Sequence, residues 1–274
     1  MNSRKNKKTS EKTVVLVGAA MILLVFLITF FRWDNQNKNS EPIISPEENY
    51  QYNKISFQEV QKKISPLASE NEKILIIDIR EKEHYQTEHI IGSKNVPLKD
   101  LAGAELNAEN YDLIIIAGYG REEENIEAAK ILNRRNISNV VVFPGGFFAW
   151  KRKGGQTISR GDPKSFADQS KISPISPEDL KALLDENYNA HILDVRSRQS
   201  FSQGHIPKAV NIPLNELENR RNEIPLTKEI IAYGSNGSQG FRAGVMLYDM
   251  NFFSAWVLEG GFTKWKEKGF EITQ

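Results

Sequence analysis

The chain has 274 residues, of which 39% are hydrophobic and 26% charged, with a net charge of +1; this is the balance of a globular protein with room for two ordinary domains. Residues 1–12 hold Arg4, Lys5, Lys7, Lys8 and Lys12 against Glu11, which is +4 and leaves −3 for everything after them, so the folded part is not a nucleic-acid binder by charge. The absence of cysteine excludes disulfides, thiolate metal sites, iron–sulfur ligation and every mechanism with a cysteine nucleophile.

The basic tail, residues 1–12, leads into an expected transmembrane anchor over 13–32. Its centre, VVLVGAAMILLVFLITFF at 14–31, carries no charge for eighteen positions. At about 1.5 Å per residue it spans roughly 27 Å, close to the hydrocarbon thickness of a bilayer. The cationic flank lies before it and a mixed flank, Arg32, Trp33 and Asp34, after it. The positive-inside rule therefore places the N-terminus in the cytoplasm and the domains outside it, in a single-pass arrangement. The rival reading is a cleaved signal peptide, whose apolar region normally spans about 7–15 residues and ends in small residues; this stretch is longer and closes on FFRWDN.

Residues 33–54 are polar, proline-containing and without periodicity, and read as a solvated stalk. Beyond them the sequence repeats itself. ILIIDIREKEHYQTEHIIGSKNVPL from Ile74 aligns with AHILDVRSRQSFSQGHIPKAVNIPL from Ala190, pairing Asp78 with Asp194, Arg80 with Arg196, His89 with His205 and Pro97 with Pro213 at one constant offset. FPGGFFAWKRKG from Phe143 aligns with LEGGFTKWKEKG from Leu258 at an offset one residue shorter. The length change lies between these blocks, where each copy has a glycine-bearing loop.

In each copy a serine-capped helix is expected first, with Ser56 and Ser176 three residues before Glu59 and Asp179. A short apolar strand follows, ILIID or AHILDV, whose unbroken run implies burial on both faces and hence a parallel sheet. A second such strand, DLIIIAG or EIIAYG, enters the loop and a helix; a third, VVVFPGG or AWVLEGG, ends in paired glycines before a helix carrying Trp150 or Trp265. Strands alternating with helices make an α/β fold of two domains, 55–158 and 175–274, joined by a linker over 159–174, with ligand space beyond the strand carboxyl ends.

These blocks resemble the rhodanese-like domain, here in tandem. The second copy carries five of the family's blocks in order, LDVR, GHIPKAVNIPL, IIAYGSNGSQGFRAGVML, LEGG and FTKWKEKGFEI, over nearly all of 176–273; the first keeps IDIR, EHI, NVPL, the loop and PGGFFAW over 56–158. The resemblance implies a sulfurtransferase in which a cysteine opens the loop after the second strand named above and carries sulfane sulfur as a persulfide, held by inward-pointing backbone N–H groups and the helix N-terminus. In this chain that position falls on Gly234, followed by Ser235, Asn236, Gly237, Ser238 and Gln239 in a six-residue loop. In the first copy it falls on Gly118, or on Ala117 in the alternative alignment, ahead of Tyr119, Gly120, Arg121, Glu122, Glu123 and Glu124 in a longer loop. Neither choice supplies sulfur. Ser235 is the hydroxyl next to the position, but no histidine in the local sequence is placed to activate it.

Asp78 with Arg80, and Asp194 with Arg196, read as buried ion pairs that tie strand ends to loops. His89 and His205 read as hydrogen-bonded loop histidines, since His84 and His191 do not share positions between the copies and no metal set results. The paired glycines 145–146 and 260–261 read as sharp strand-to-helix turns, and the tryptophans as core, with an exposed aromatic patch left as the alternative. A small anion could rest on the neutral loop from Gly234 to Gly240 with Arg242 close behind; Glu122, Glu123 and Glu124 repel one from the first loop.

The expected protein has no cofactor, contacts a membrane through residues 14–31, and recognises or scaffolds an unidentified protein partner without catalysis. Sulfurtransferase activity, as family membership alone would imply, and anion sensing through the second loop are the alternatives.

Overall fold

The computed structural model describes residues 51–65 and 72–274. The expected basic tail, the anchor at 14–31 and most of the stalk lie outside the described residues; among the described residues no helix is long and apolar enough to cross a membrane.

The first domain runs through β1 (Asn53–Lys54), α1 (Phe57–Ile64), β2 (Ile74–Asp78), α2 (Lys82–Thr87), β3 (Glu88–Ile90), β4 (Ser93–Asn95), β5 (Leu113–Ala117), α3 (Glu122–Arg134), β6 (Val140–Val142), α4 (Gly146–Arg152) and β7 (Thr157–Ser159). After α5 (Phe166–Gln169), the second domain follows with β8 (Ser173–Ile175), α6 (Pro177–Asp185), β9 (His191–Asp194), α7 (Arg198–Ser202), β10 (Val210–Asn211), β11 (Ile230–Tyr233), α8 (Gly237–Asp249), β12 (Ala255–Leu258) and α9 (Gly261–Glu267).

Both sheets are parallel and have the same order. The first is β1-β6-β5-β2-β4; the second, read from the same edge, is β8-β12-β11-β9-β10. The unbroken apolar runs are the central strands: Ile77, Ile114, Ile115 and Ile116 have no exposed surface. In the second domain successive residues sort to opposite faces, as strand geometry requires. Leu193, Ile230 and Ala232 pack with Ala243 and Leu247 of α8, whereas Ile192, Ile231 and Tyr233 pack with Leu180 of α6 and Trp265 of α9. Ser56 closes a full capping box with Glu59, and the Ser176 side chain accepts from the Asp179 N–H.

Three features depart from the sequence reading. The stalk ends earlier than 54, because Asn53 and Lys54 pair with Val141 and Val142 as an edge strand. A two-stranded antiparallel ribbon, β3 with β7, sets His89 opposite Ile158. The expected linker is structured as well: Ser165 caps α5, and Lys171 bridges Asp168 and Asp249, 2.9 Å from each.

The ribbon joins the domains. Ile158, from the end of the first domain, sits in the core of the second beside Leu193 and Leu247. Asp249 at the end of α8 accepts from the Ser159 N–H at 2.9 Å, while its backbone carbonyl accepts from Gln156 Nε2 at 2.6 Å. Burial raises the pKa of the Asp249 carboxyl, against the pull of Lys171. On the other side Glu218 reaches across, one oxygen 2.8 Å from His89 Nε2 and the other accepting from the Gly92 N–H at 2.7 Å.

Candidate functional site

The two strand-end pairs have the same geometry. Arg80 Nη2 lies 2.6 Å from Asp78 Oδ2 and donates to the Glu88 carbonyl at 2.8 Å; Arg196 Nη2 lies 2.6 Å from Asp194 Oδ2 and donates to the Gly204 carbonyl at 2.8 Å. Each guanidinium is stacked 3.7 Å from a ring centroid, Phe147 for Arg80 and Phe262 for Arg196. All four charged residues are buried. With their charged groups turned on one another, they brace the strand ends. Tyr233 hangs beside the second pair, its hydroxyl accepting from the Ile206 N–H at 3.1 Å; burial, then the Asp194 charge, pushes its pKa up.

His89 and His205 also match. Nδ1 donates to the carbonyl four residues earlier, Tyr85 at 2.9 Å and Phe201 at 3.1 Å, and each ring stacks on that residue at 3.9 and 3.8 Å. His89 adds its contact to Glu218. His84 Nδ1 lies 2.5 Å from the Tyr119 hydroxyl, and His191 begins β9, where burial, then the Lys228 charge, lowers its pKa.

The paired glycines hold the loops shut from behind. Gly145, Gly146, Gly260 and Gly261 all have φ between +53° and +79°, a region that side chains avoid. A Cβ on Gly146 would stand 2.1 Å from the Gly118 carbonyl oxygen, and one on Gly261 would stand 2.6 Å from that of Gly234. The next residues donate to those carbonyls, Phe147 to Gly118 at 2.9 Å and Phe262 to Gly234 at 2.8 Å. Trp150 and Trp265 are core, their N–H groups donating to the Gln156 and Glu271 carbonyls at 2.9 Å.

The loops are shorter than the sequence reading has them. Gly237, Ser238 and Gln239 form the first turn of α8, capped by the Asn236 side chain, which accepts from the Gln239 N–H at 3.1 Å. Glu122, Glu123 and Glu124 likewise form the first turn of α3, where carboxylates suit the helix dipole. The first loop keeps its extra residue: two residues separate Gly118 from the N-cap Arg121, against one between Gly234 and Asn236.

In the second domain the space beside Gly234 is filled. Side chains of a helix lean toward its N-terminus, and Gln239 leans over Gly234: a Cβ there would meet Gln239 Cβ at 2.5 Å, Cγ at 2.7 Å and Oε1 at 2.9 Å. The carboxamide is held at both ends, Oε1 accepting from the Ser235 N–H at 2.8 Å and Nε2 donating to the Val195 carbonyl at 3.1 Å. Two N–H groups that an anion at this loop would need, those of Ser235 and Gln239, are thus engaged within the loop. Gly240 backs onto Val257, whose Cγ1 would stand 3.1 Å from an added Cβ, and Arg242 turns toward the space between the domains. No base is hydrogen-bonded to the Ser235 hydroxyl among the described residues.

In the first domain a Cβ on Gly118 would meet Ile79 Cγ1 at 2.8 Å and Cδ1 at 3.0 Å, and the buried amide of Asn125 lies just beyond without a hydrogen-bond partner. Beside the loop, the Tyr119 and Phe148 rings stack with centroids 6.4 Å apart. Gln239 was visible in the sequence as a loop residue, but its role follows from the early start of α8; Glu218 and Asn125 carried no pattern that marked them.

Gly234→Cys therefore does not simply restore a thiol. Overpacking against Gln239 is expected to destabilise the protein by about 1–3 kcal/mol, and Gly234→Cys/Gln239→Gly, which clears the space, is expected to be more stable than the two single changes sum to. Urea midpoints of the three variants check this; additive losses would mean that Gln239 does not fill the position.

Comparison with known proteins bears on both halves. The model of the rhodanese-like domain matches residues 60–153 and again 176–268. A sulfurtransferase of Allochromatium vinosum is 26% identical over 101 residues, 37% of this chain and 94% of that protein. Bacillus subtilis YqhL, an uncharacterized protein, is 36% identical over 94 residues, 32% of this chain and 75% of that one. The crystal structure of a thiosulfate sulfurtransferase from Pseudomonas aeruginosa aligns with a TM-score of 0.41 at 20% identity, over 81% of this chain and 43% of that one. With more than half of its length covered by two matches to one family model, the chain belongs to the rhodanese family, as a tandem pair of rhodanese-like domains.

Proposed function

We propose that this protein is a membrane-anchored, extracytoplasmic member of the family that recognises or scaffolds a protein partner and transfers no sulfur. One observation carries the reading: the chain has no cysteine, and the cysteine position of the second domain is a glycine whose side-chain space is taken by Gln239. A persulfide needs a thiol, and a cradle without one has no covalent intermediate to stabilise. The anchor rests on the uncharged run at 14–31 with its basic flank.

Two measurements test it. Full-length protein in detergent is expected to form no thiocyanate from thiosulfate and cyanide; turnover that co-purifies with the chain through successive columns would defeat the non-enzymatic reading. In membranes, the chain is expected to resist alkaline extraction while protease added from outside removes everything after the stalk; release by alkali, or full protection, would defeat the anchored topology.

A further inference from the structure

His89 is buried, and both of its ring nitrogens face acceptors. Nδ1 lies 2.9 Å from the Tyr85 carbonyl, and Nε2 lies 2.8 Å from Glu218 Oε2 of the second domain, whose other oxygen accepts from the Gly92 N–H at 2.7 Å. A neutral imidazole has one N–H to give and a carboxylate has none. With the Tyr85 carbonyl taking the hydrogen on Nδ1, the lone pair of Nε2 would point at a carboxylate oxygen. The contact between the domains therefore needs one proton more than a neutral histidine and a carboxylate hold between them.

The sister residue, His205, carries no such demand. It makes the same bond to the Phe201 carbonyl, and the one ion pair of a histidine among the described residues is that of His89 with Glu218. The charges around the pair are engaged elsewhere or belong to groups that titrate outside the histidine range. Glu88, on the same strand, is held by Lys151 and Thr157, and Arg80 is turned on Asp78. Burial, then the Glu218 charge, pushes the pKa of Tyr85 up. Arg221 donates to the Glu218 backbone carbonyl at 3.3 Å, and Lys94, Arg160 and Arg242 line the same cleft; lysine and arginine side chains change charge well above the range of histidine. The opposite side of the domain joint is held without histidine, by Ile158 in the second core and by Asp249 on the Ser159 N–H.

We infer that His89 and Glu218 form a proton-operated clasp between the two domains: one proton shared by Nε2 and Oε2 holds the β3–β4 turn of the first domain against the second, and its loss releases that side of the joint while the β3–β7 ribbon stays seated. The closed contact binds the extra proton and the open one does not, so by linkage acid favours closing and rising pH favours opening. Histidine side chains change charge between about pH 5 and 8. The clasp is independent of whether the protein transfers sulfur.

Because the chain has no cysteine, two introduced thiols can be labelled cleanly. Gln86→Cys and Asn215→Cys place spin labels on exposed residues that line the cleft from the first and the second domain. The distance between the labels, read by dipolar electron resonance on the full-length protein in detergent at about pH 5 and about pH 9, either side of that range, is expected to be short in acid and to gain a longer population in base. Glu218→Ala is expected to show the longer population at both pH values. Glu218→Gln supplies an N–H to a neutral Nε2 and is expected to keep the short distance at the higher pH. A wild-type distance that does not change with pH, a change that persists in Glu218→Ala, or opening of Glu218→Gln in base as in the wild type would each overturn the clasp.

Discussion

Arg196→Met is expected to destabilise the second domain by about 3–5 kcal/mol, the range for removing one partner of a buried ion pair. Asp194 has no exposed surface, and three of the hydrogen bonds reaching its carboxylate come from the Arg196 side chain, at 3.0, 3.0 and 2.6 Å. After the change the backbone N–H of residue 196, at 2.9 Å, and the Tyr233 hydroxyl would be left to hold a charge that water cannot reach. The Gly204 carbonyl would lose its donor as well, and the ring of Phe262 its stacked partner. Asp194→Asn/Arg196→Met removes the orphaned charge and is expected to recover much of the loss, a coupling that a double-mutant cycle in urea reads directly. If the single and double variants unfold at the same denaturant concentration, the pair is not the brace described above.

Gly146→Ala is expected to cost roughly 3 kcal/mol, about 1–2 kcal/mol of it from placing a side chain in the left-handed region and the rest from collision. The new Cβ would stand 2.1 Å from the Gly118 oxygen and 2.7 Å from its carbonyl carbon. Backbone on both sides leaves no flexible end to give way, so the bond from Phe147 to Gly118, 2.9 Å, must stretch or break. Gly154→Ala is the control: its φ is also positive, +76°, but nothing lies within 4 Å of the added atom, so only the conformational part is expected. Thermal or urea unfolding of the two variants separates collision from backbone preference; equal losses would mean that the α4 turn does not press on the loop.

The difference between what the residues announced and what they concealed has a physical pattern. ILIID and LIIIA were legible as central strands because burial on both faces leaves no polar position in the run. Asp78 and Arg80 were legible as a pair because a charge at the end of such a strand must find a partner. The β3–β7 ribbon was not, since Glu88–Ile90 and Thr157–Ser159 are short, mostly polar, and meet across the whole domain. Ile158 gives no sign that its core lies in the other domain, because a single apolar residue has no period. Asn53–Lys54 is an edge strand held by backbone pairing, with both residues exposed, and so looks like stalk. α8 starts three residues before the expected position for a physical reason: Asn-Gly-Ser looks like loop, yet asparagine is among the preferred N-cap residues, and Asn236 serves as one. That three-residue shift carries Gln239 into the space beside Gly234.

The central claim, that this fold carries no sulfur, is tested most directly by the intact mass of the full-length protein before and after incubation with thiosulfate. One unchanged mass is the expected result. A species heavier by one sulfur atom, and returned to the original mass by cyanide, would contradict it.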